Sequence, residues 1–394
     1  MIGVNLLSIR DATASILPYV HKTPLIYSNS FSKMFDAEVY IKAENLPKTG
    51  SFKVRGAFNK LRKLREGKVI AASMGNHAQG VAFAAMSLGL KASIVMPSTA
   101  SIVKQEATKG YGAEVILHGE SFSDALNYAI AQKGYEFIHA FDDEDIIAGQ
   151  GTIGIEIAEE LKDVDVVIVP VGGGGLIAGI SVAIKNLSPK TQVIGVQTIS
   201  ATSAYDSFHS KKLVESIPQP TLADGIAVGK VGIKTLEIID KHVDDIVKVS
   251  EESIAMSVLL FLERKKLVVE GAGAVPLAAL LEQKDRFKGK KIVLVISGGN
   301  IDFTLIDRII HKGLVSSGRI GVFKVIVDDV PGGLNKLTGI IAAQRGNILN
   351  IVHDRLAQDV PVGKTMVIFT VETKGRGHFE EIISAIKEAG FSIR

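Results

Sequence analysis

Short apolar runs recur through the first three quarters of the chain, and stretches with helical spacing lie between them. Strand-like runs fall at Glu38-Val39-Tyr40-Ile41-Lys42 and at 69–72, 92–96, 114–117, 137–139, 164–170, 193–196 and 292–296. Helical spacing appears at 8–17, at Ala57, Phe58, Leu61 and Leu64, and at 77–88 and 121–132. Strands apolar on both faces that alternate with helices predict a parallel sheet covered on both sides. Such sheets bind ligands at the carboxyl ends of their strands.

The pattern changes near Gly318. A strand at 320–327, a helix at 332–344, strands at 348–356 and 364–371, a helix at 379–389 and a last strand at Phe391-Ser392-Ile393 form a strand–helix–strand–strand–helix–strand unit. That order predicts a small α+β domain of ferredoxin-like type. The expected division is a main region at 1–315, a linker at 316–319 and a C-terminal domain at 320–394.

Composition narrows the class. At 394 residues, with 46% hydrophobic and 22% charged, the chain reads as a globular protein of more than one domain. A net charge of +3 is too small to argue for nucleic acid or an anionic membrane as partner. No apolar run is long enough for a membrane span, and no signal peptide is expected. With no cysteine, thiolate chemistry and disulfides are excluded, which fits a cytoplasmic setting.

The strand ends carry the candidate chemistry. In Lys48-Thr49-Gly50-Ser51-Phe52-Lys53-Val54-Arg55-Gly56-Ala57, Ser51 is expected to cap the following helix. Lys53 lies between an aromatic and a small apolar residue, a setting that eases loss of its proton. By this stretch alone, Lys53 reads as a surface lysine at a helix start. In Ser73-Met74-Gly75-Asn76-His77, Ser73 or Asn76 is expected to cap the next helix, whose N-terminus can hold an anion. His77 reads as structural, because a helix start disfavours its charged form. Gly172-Gly173-Gly174-Gly175-Leu176 opens another helix, and such a loop turns several backbone N–H groups toward one phosphate. No Gly-Lys-Ser/Thr follows it, so it is not a Walker loop. A dinucleotide site would want an acid at the end of the next strand, where Gln197 stands. Ser297-Gly298-Gly299-Asn300 follows a further strand, and Ser297 can donate to a ring nitrogen. Small-residue stretches at 224–229 and 270–274 allow close backbone approach, and a buried Glu270 needs a partner or a shifted pKa.

In this order the four motifs resemble the fold type II, tryptophan-synthase β-like pyridoxal-phosphate enzymes, from about Lys22 to Asn300 and nearest to the threonine dehydratases. The resemblance implies two three-layer α/β domains with parallel sheets, the smaller at about 45–145 inserted in the larger at 1–44 and 146–315. It implies that Lys53 carries pyridoxal 5′-phosphate and takes the substrate Cα proton. Phe52 would pack near the ring, Asn76 would bind its 3′-oxygen, Gly172, Gly173, Gly174, Gly175 and Leu176 the phosphate, and Ser297 the ring nitrogen. Ser73, with the N–H groups of Asn76 and His77, would hold the substrate carboxylate.

The expected reaction is β-elimination of L-threonine, and of L-serine, to a 2-oxo acid and ammonia. Two departures from related serine racemases refine it. Met74 stands where they carry a serine, so negligible racemisation is expected. Gln197, Ala201 and Ser203 stand where they carry acidic metal ligands, so no metal is expected. The C-terminal domain resembles an ACT domain, an amino-acid-sensing module. Asp329, Gly332, Leu334, Asn347 and Ile348 would line its effector pocket, and Arg345 and Lys364 are taken as solvated. A homo-oligomer, dimer or tetramer, is expected. The competing readings are β-replacement or threonine-synthase chemistry on the same fold, a nucleotide-dependent oxidoreductase and a non-catalytic amino-acid sensor.

Overall fold

The computed structural model describes residues 3–64, 67–356 and 360–393. Compact packing divides the chain into two units between Ile301 and Asp302.

The first unit holds two sheets. One has six strands: β1 (Leu25–Tyr27), β2 (Glu38–Ala43), β7 (Val166–Pro170), β8 (Gln192–Thr198), β9 (Asp245–Val249) and β10 (Lys291–Ile296), in the order β1-β2-β10-β7-β8-β9. All its pairings are parallel except β1 on β2. The other is wholly parallel and draws its strands from one segment: β3 (Lys68–Ala72), β4 (Lys91–Met96), β5 (Glu114–Leu117) and β6 (Glu136–Phe137), ordered β5-β4-β3-β6. The near-continuous apolar sequences of β3, β4, β7, β8 and β10 are buried, as the pattern predicts, whereas β5 and β6 at the edges of the smaller sheet are half-buried or exposed. The short strands β1 and β9 are additions to that pattern. Strand β6 ends at Phe137 instead of reaching His139, because the His139 ring nitrogen Nδ1 turns back to accept the N–H groups of Phe141 and Asp142.

Glycines set how closely the helices approach. The helix Glu144–Glu160 meets Gly175–Leu187 on one side, where a Cβ on Gly179 would lie 2.5 Å from the Gly151 nitrogen. It also meets Lys53–Leu61, where a Cβ on Gly149 would lie 2.6 Å from the Gly56 Cα. Backbone therefore rests on backbone, and the helix bearing Lys53 has no slack against its neighbour.

A buried charge network locks the same helix. The Arg55 guanidinium forks onto Glu44 (Nε–Oε2 and Nη2–Oε1, both 2.8 Å) and onto Glu156 (2.6 and 3.0 Å). Lys42 reaches Glu156 at 2.6 Å, and Arg55 also donates to Thr152. All four charged residues are buried, and the two carboxylates with their hydrogen bonds hold the Arg55 proton more tightly than usual.

The second unit contains β11 (Ile320–Asp328), β12 (Asn347–Asp354), β13 (Lys364–Glu372) and β14 (Ser392–Ile393), antiparallel in the order β12-β13-β11-β14. The helices Gly333–Ala343 and Arg376–Glu388 place Leu337, Ile341, Ile382 and Ile386 against Phe323, Val325, Val367 and Phe369. Phe303–Ser316, a helix that runs into the first residue of the linker expected at 316–319, groups with this unit.

Candidate active site

Lys53 is the first residue of its helix, and burial brings its amine down from 10.5 to about 8 against an opposing pull from Glu270. The Nζ donates to the Ala140 carbonyl oxygen at 2.9 Å and lies 5.2 Å from the centre of the Phe52 ring. Gly80 lets the neighbouring helix Asn76–Leu88 come close, since a Cβ there would stand 3.2 Å from the Lys53 carbonyl carbon. The surface reading of Lys53 is therefore replaced by a buried amine.

Ser51 does not cap this helix. Phe52 is the N-cap, without a side-chain bond, and the buried Ser51 hydroxyl has no hydrogen-bond partner among the described residues. The reason is that the Ser51 backbone is bridged to Gly298, while the Phe52 N–H donates to the Ser297 carbonyl at 3.1 Å. That bridge seats Lys53 beside the loop after β10.

Neither Ser73 nor Asn76 caps the next helix, whose N-cap is Gly75. The Ser73 hydroxyl accepts the Gly75 N–H at 3.2 Å. The Asn76 amide is drawn elsewhere: its nitrogen donates to both Glu270 oxygens at 2.8 and 3.0 Å, and its oxygen accepts from Asn300 at 2.7 Å. Glu270 thereby gains the partner that the sequence did not name. Burial nevertheless raises its carboxyl to about 7. His77 is neutral, pushed down to about 3 by burial and by nearby Lys53, with Nε2 on the Ile138 carbonyl.

The four glycines form a cradle built by their surroundings. Gly174 sits at φ +94°, and the helix Gly175–Leu187 begins after it. A Cβ on Gly173 would lie 2.3 Å from the Phe141 ring, and one on Gly172 would lie 3.1 Å from the Ile226 Cα. The Gly173 carbonyl is held by the Gly232 N–H at 3.1 Å and the Thr235 hydroxyl at 2.7 Å. Asp142 then accepts three N–H groups at the start of Ile233–His242, those of Ile233, Lys234 and Thr235. Among the described residues, no hydrogen bond uses the N–H groups of Gly172, Gly173 or Gly174.

Ser297 is buried directly after β10. The small-residue stretches converge with it: a Cβ on Gly273 would lie 2.7 Å from the Gly298 oxygen, and one on Gly298 would lie 2.4 Å from Glu270 Oε1. Lys53, Asn76, Glu270 and Ser297 thus belong to one assembly linked by the Ser51–Gly298 bridge and the Asn76 contacts.

A family model described as pyridoxal-phosphate dependent enzyme matches residues 16–298. The chain belongs to this family. An L-threonine ammonia-lyase of Thermotoga maritima is 48% identical over 398 residues, covering 99% of this chain and 99% of that protein. One of Geobacter sulfurreducens is 46% identical over 392 residues, covering 98% of each. Among solved structures, the processed form of threonine deaminase isoform 2 from Solanum lycopersicum matches with a TM-score of 0.75 at 36% identity, over 77% of this chain and 87% of that one.

The site of this pyridoxal-phosphate enzyme fits its cofactor. An aldehyde needs a neutral amine, and Lys53 has one within reach of ordinary pH. A phosphate needs converging N–H donors at a helix start, and Gly172–Gly174 offer donors that no group among the described residues uses. The parts that sequence reasoning missed are Phe141 and Asp142, which shape the glycine loop from His139-Ala140-Phe141-Asp142. Their signal was their place just past a strand end.

In the second unit, Asp329, Gly332 and Leu334 line a cavity of about 330 Å³ together with His353 and Arg355. Arg355 forks onto Asp329 at 2.9 and 3.2 Å. Asn347 and Ile348 are not part of that lining; Asn347 instead donates to Glu372 at 3.0 Å. Arg345 is exposed, and Lys364 pairs with Asp328 at 3.2 Å. Among the described residues, no helix is long and apolar enough to cross a membrane.

Proposed function

We propose that this chain is a threonine ammonia-lyase, converting L-threonine to 2-oxobutanoate and ammonia and acting also on L-serine. The observation that carries the reading is the buried, easily deprotonated amine of Lys53, in the same site assembly as a glycine cradle with free N–H donors. The choice of threonine rests on the two relatives that match end to end.

Lys53 would hold the cofactor through its amine nitrogen. Phe52 would pack beside its ring, Asn76 would bind its 3′-oxygen, and the N–H groups of Gly172, Gly173, Gly174, Gly175 and Leu176 would hold its phosphate. Pyridoxal phosphate, when bound, supplies the electron sink that makes the Cα proton removable. Ser73 and the N–H groups of Asn76 and His77 orient the substrate carboxylate, and neutral His77 adds no competing charge. The freed Lys53 amine takes the Cα proton. The Cβ–O bond breaks and the hydroxyl leaves as water with the proton that Lys53 took from Cα; a water then releases the nitrogen as ammonia, so the net products are 2-oxobutanoate and ammonia. Ser297 would offer the ring nitrogen a hydroxyl, which cannot hold a proton there as a carboxylate would, and this would favour prompt loss of the β-substituent.

The C-terminal unit fits an ACT domain with an amino-acid effector at the cavity beside Asp329, Gly332 and Leu334, and the enzyme is read as a cytoplasmic homo-oligomer. The purified protein with pyridoxal phosphate should show a visible absorbance band that L-threonine bleaches as 2-oxobutanoate and ammonia appear. Lys53→Ala should lose both band and turnover. Retention of the amino group in a product with an exchanged β-substituent would replace elimination with β-replacement. An amino acid that changes the KM for threonine in the native enzyme, and no longer does so in Asp329→Asn, would support the effector site.

A further inference from the structure

The reaction as derived leaves one buried titratable group of the site without a task. Glu270 is the N-cap of the helix Gly271–Glu282, yet its side chain caps nothing. Its backbone N–H donates to the Gly298 carbonyl at 3.1 Å, and its carboxyl lies against Gly298, where any Cβ would strike it. A carboxylate can only accept, so it draws the Asn76 nitrogen and fixes which way that amide faces. Asn300 fixes the other end, with its nitrogen donating to the Thr49 carbonyl at 2.8 Å and to the Asn76 oxygen at 2.7 Å. The amide of Asn76 is therefore held in one orientation by a charge on one side and a saturated donor on the other.

We propose that Glu270 is a positioning residue: its carboxylate orients Asn76 toward the cofactor ring, and its negative charge holds a proton at the Lys53 nitrogen. This rests on Lys53 being the cofactor-bearing lysine. The charged groups facing Glu270 are Asp224, Lys53 and Lys104, and Lys104 also pairs with Asp224 at 3.4 Å. Burial is the main force on both Lys53 and Glu270, and it acts in opposite directions on the two groups: the lysine tends to lose its proton and the carboxyl to keep one. Each opposes that tendency in the other. Deleting the Glu270 charge should leave burial of Lys53 unopposed and make its proton easier to remove.

The test uses cofactor-free protein. Lys53 is labelled with acetic anhydride across a pH series and the labelled peptide is quantified by mass spectrometry. The pH of half-maximal labelling should fall by about one unit in E270Q and return toward wild type in E270D, which keeps the charge. Pyridoxal phosphate affinity, measured separately, should weaken about tenfold in E270Q, since an amide would place an N–H group against the Asn76 nitrogen. An unchanged half-labelling pH in folded E270Q overturns the proposal. Should E270Q fail to fold, E270A takes its place: the same fall in half-labelling pH supports the role, and a wild-type value overturns it. Because the labelling needs no cofactor, its failure is separate from the band and turnover that test Lys53 itself.

Discussion

The Lys53 amine donates to the carbonyl oxygen of Ala140 at 2.9 Å, across 87 positions of sequence. The contact ties the helix start to the loop whose next residue, Phe141, packs on the glycine cradle. It also leaves the amine with a neutral acceptor at a buried site, so solvation does little to keep it charged.

Loading with cofactor should therefore depend on pH in a set way. Only the neutral amine attacks an aldehyde. With Lys53 near 8 in place of 10.5, the neutral fraction at pH 7 is roughly 300-fold larger than for an ordinary lysine. The rate at which cofactor-free protein gains its visible band should rise about tenfold per pH unit below 8 and level off above it. A rise that continues to pH 10 would mean that the amine is not perturbed.

The cradle predicts a paired effect. Gly173→Ala would drive a methyl group into the Phe141 ring, because its Cβ site is 2.3 Å from ring carbons. The loop must shift, and its N–H groups would no longer converge. Equilibrium binding of pyridoxal phosphate should weaken at least about tenfold, a loss of about 1.4 kcal/mol. Phe141→Ala in the same chain should recover part of it, whereas two independent sites would simply add their losses.

Some of this was legible in the sequence and some was not, for physical reasons. Buried parallel strands announce themselves because both faces are apolar, so β3, β4, β7, β8 and β10 stand out. Strand β1 has three half-buried or exposed residues and no such signature. The glycine cradle is legible because nothing but glycine tolerates the close approach. The caps expected of Ser51 and Asn76 failed because tertiary partners, Gly298 for one and Glu270 with Asn300 for the other, outcompeted the local helix start. Those partners lie between 194 and 247 residues away, and spacing along a chain carries no trace of them.

Arg55 is the residue whose loss should cost stability. Its guanidinium satisfies Glu44 and Glu156 together in a site closed to solvent. Removing one member of a buried ionic network leaves uncompensated charge, typically about 3–5 kcal/mol. Arg55→Met should lower the urea midpoint of unfolding strongly. Arg55→Lys should rescue little, since an ammonium cannot fork onto two carboxylates. A midpoint within a tenth of wild type for Arg55→Met would show that Lys42 alone balances both acids.

Met74 bears on the stereochemical outcome. It lies in the loop between β3 and the helix Asn76–Leu88, half-buried against the core of the smaller sheet. Inversion at Cα needs a proton delivered to the face opposite Lys53, and a thioether has none to give. L-Serine should therefore yield pyruvate and ammonia with negligible D-serine, measured by chiral chromatography over many turnovers. Met74→Ser places a hydroxyl two residues before Asn76 and should raise D-serine formation at least about tenfold over wild type, while Lys53 continues to drive elimination. Abundant D-serine from the unaltered protein would require another proton carrier on that face and would remove Lys53 from its place as the only one at Cα.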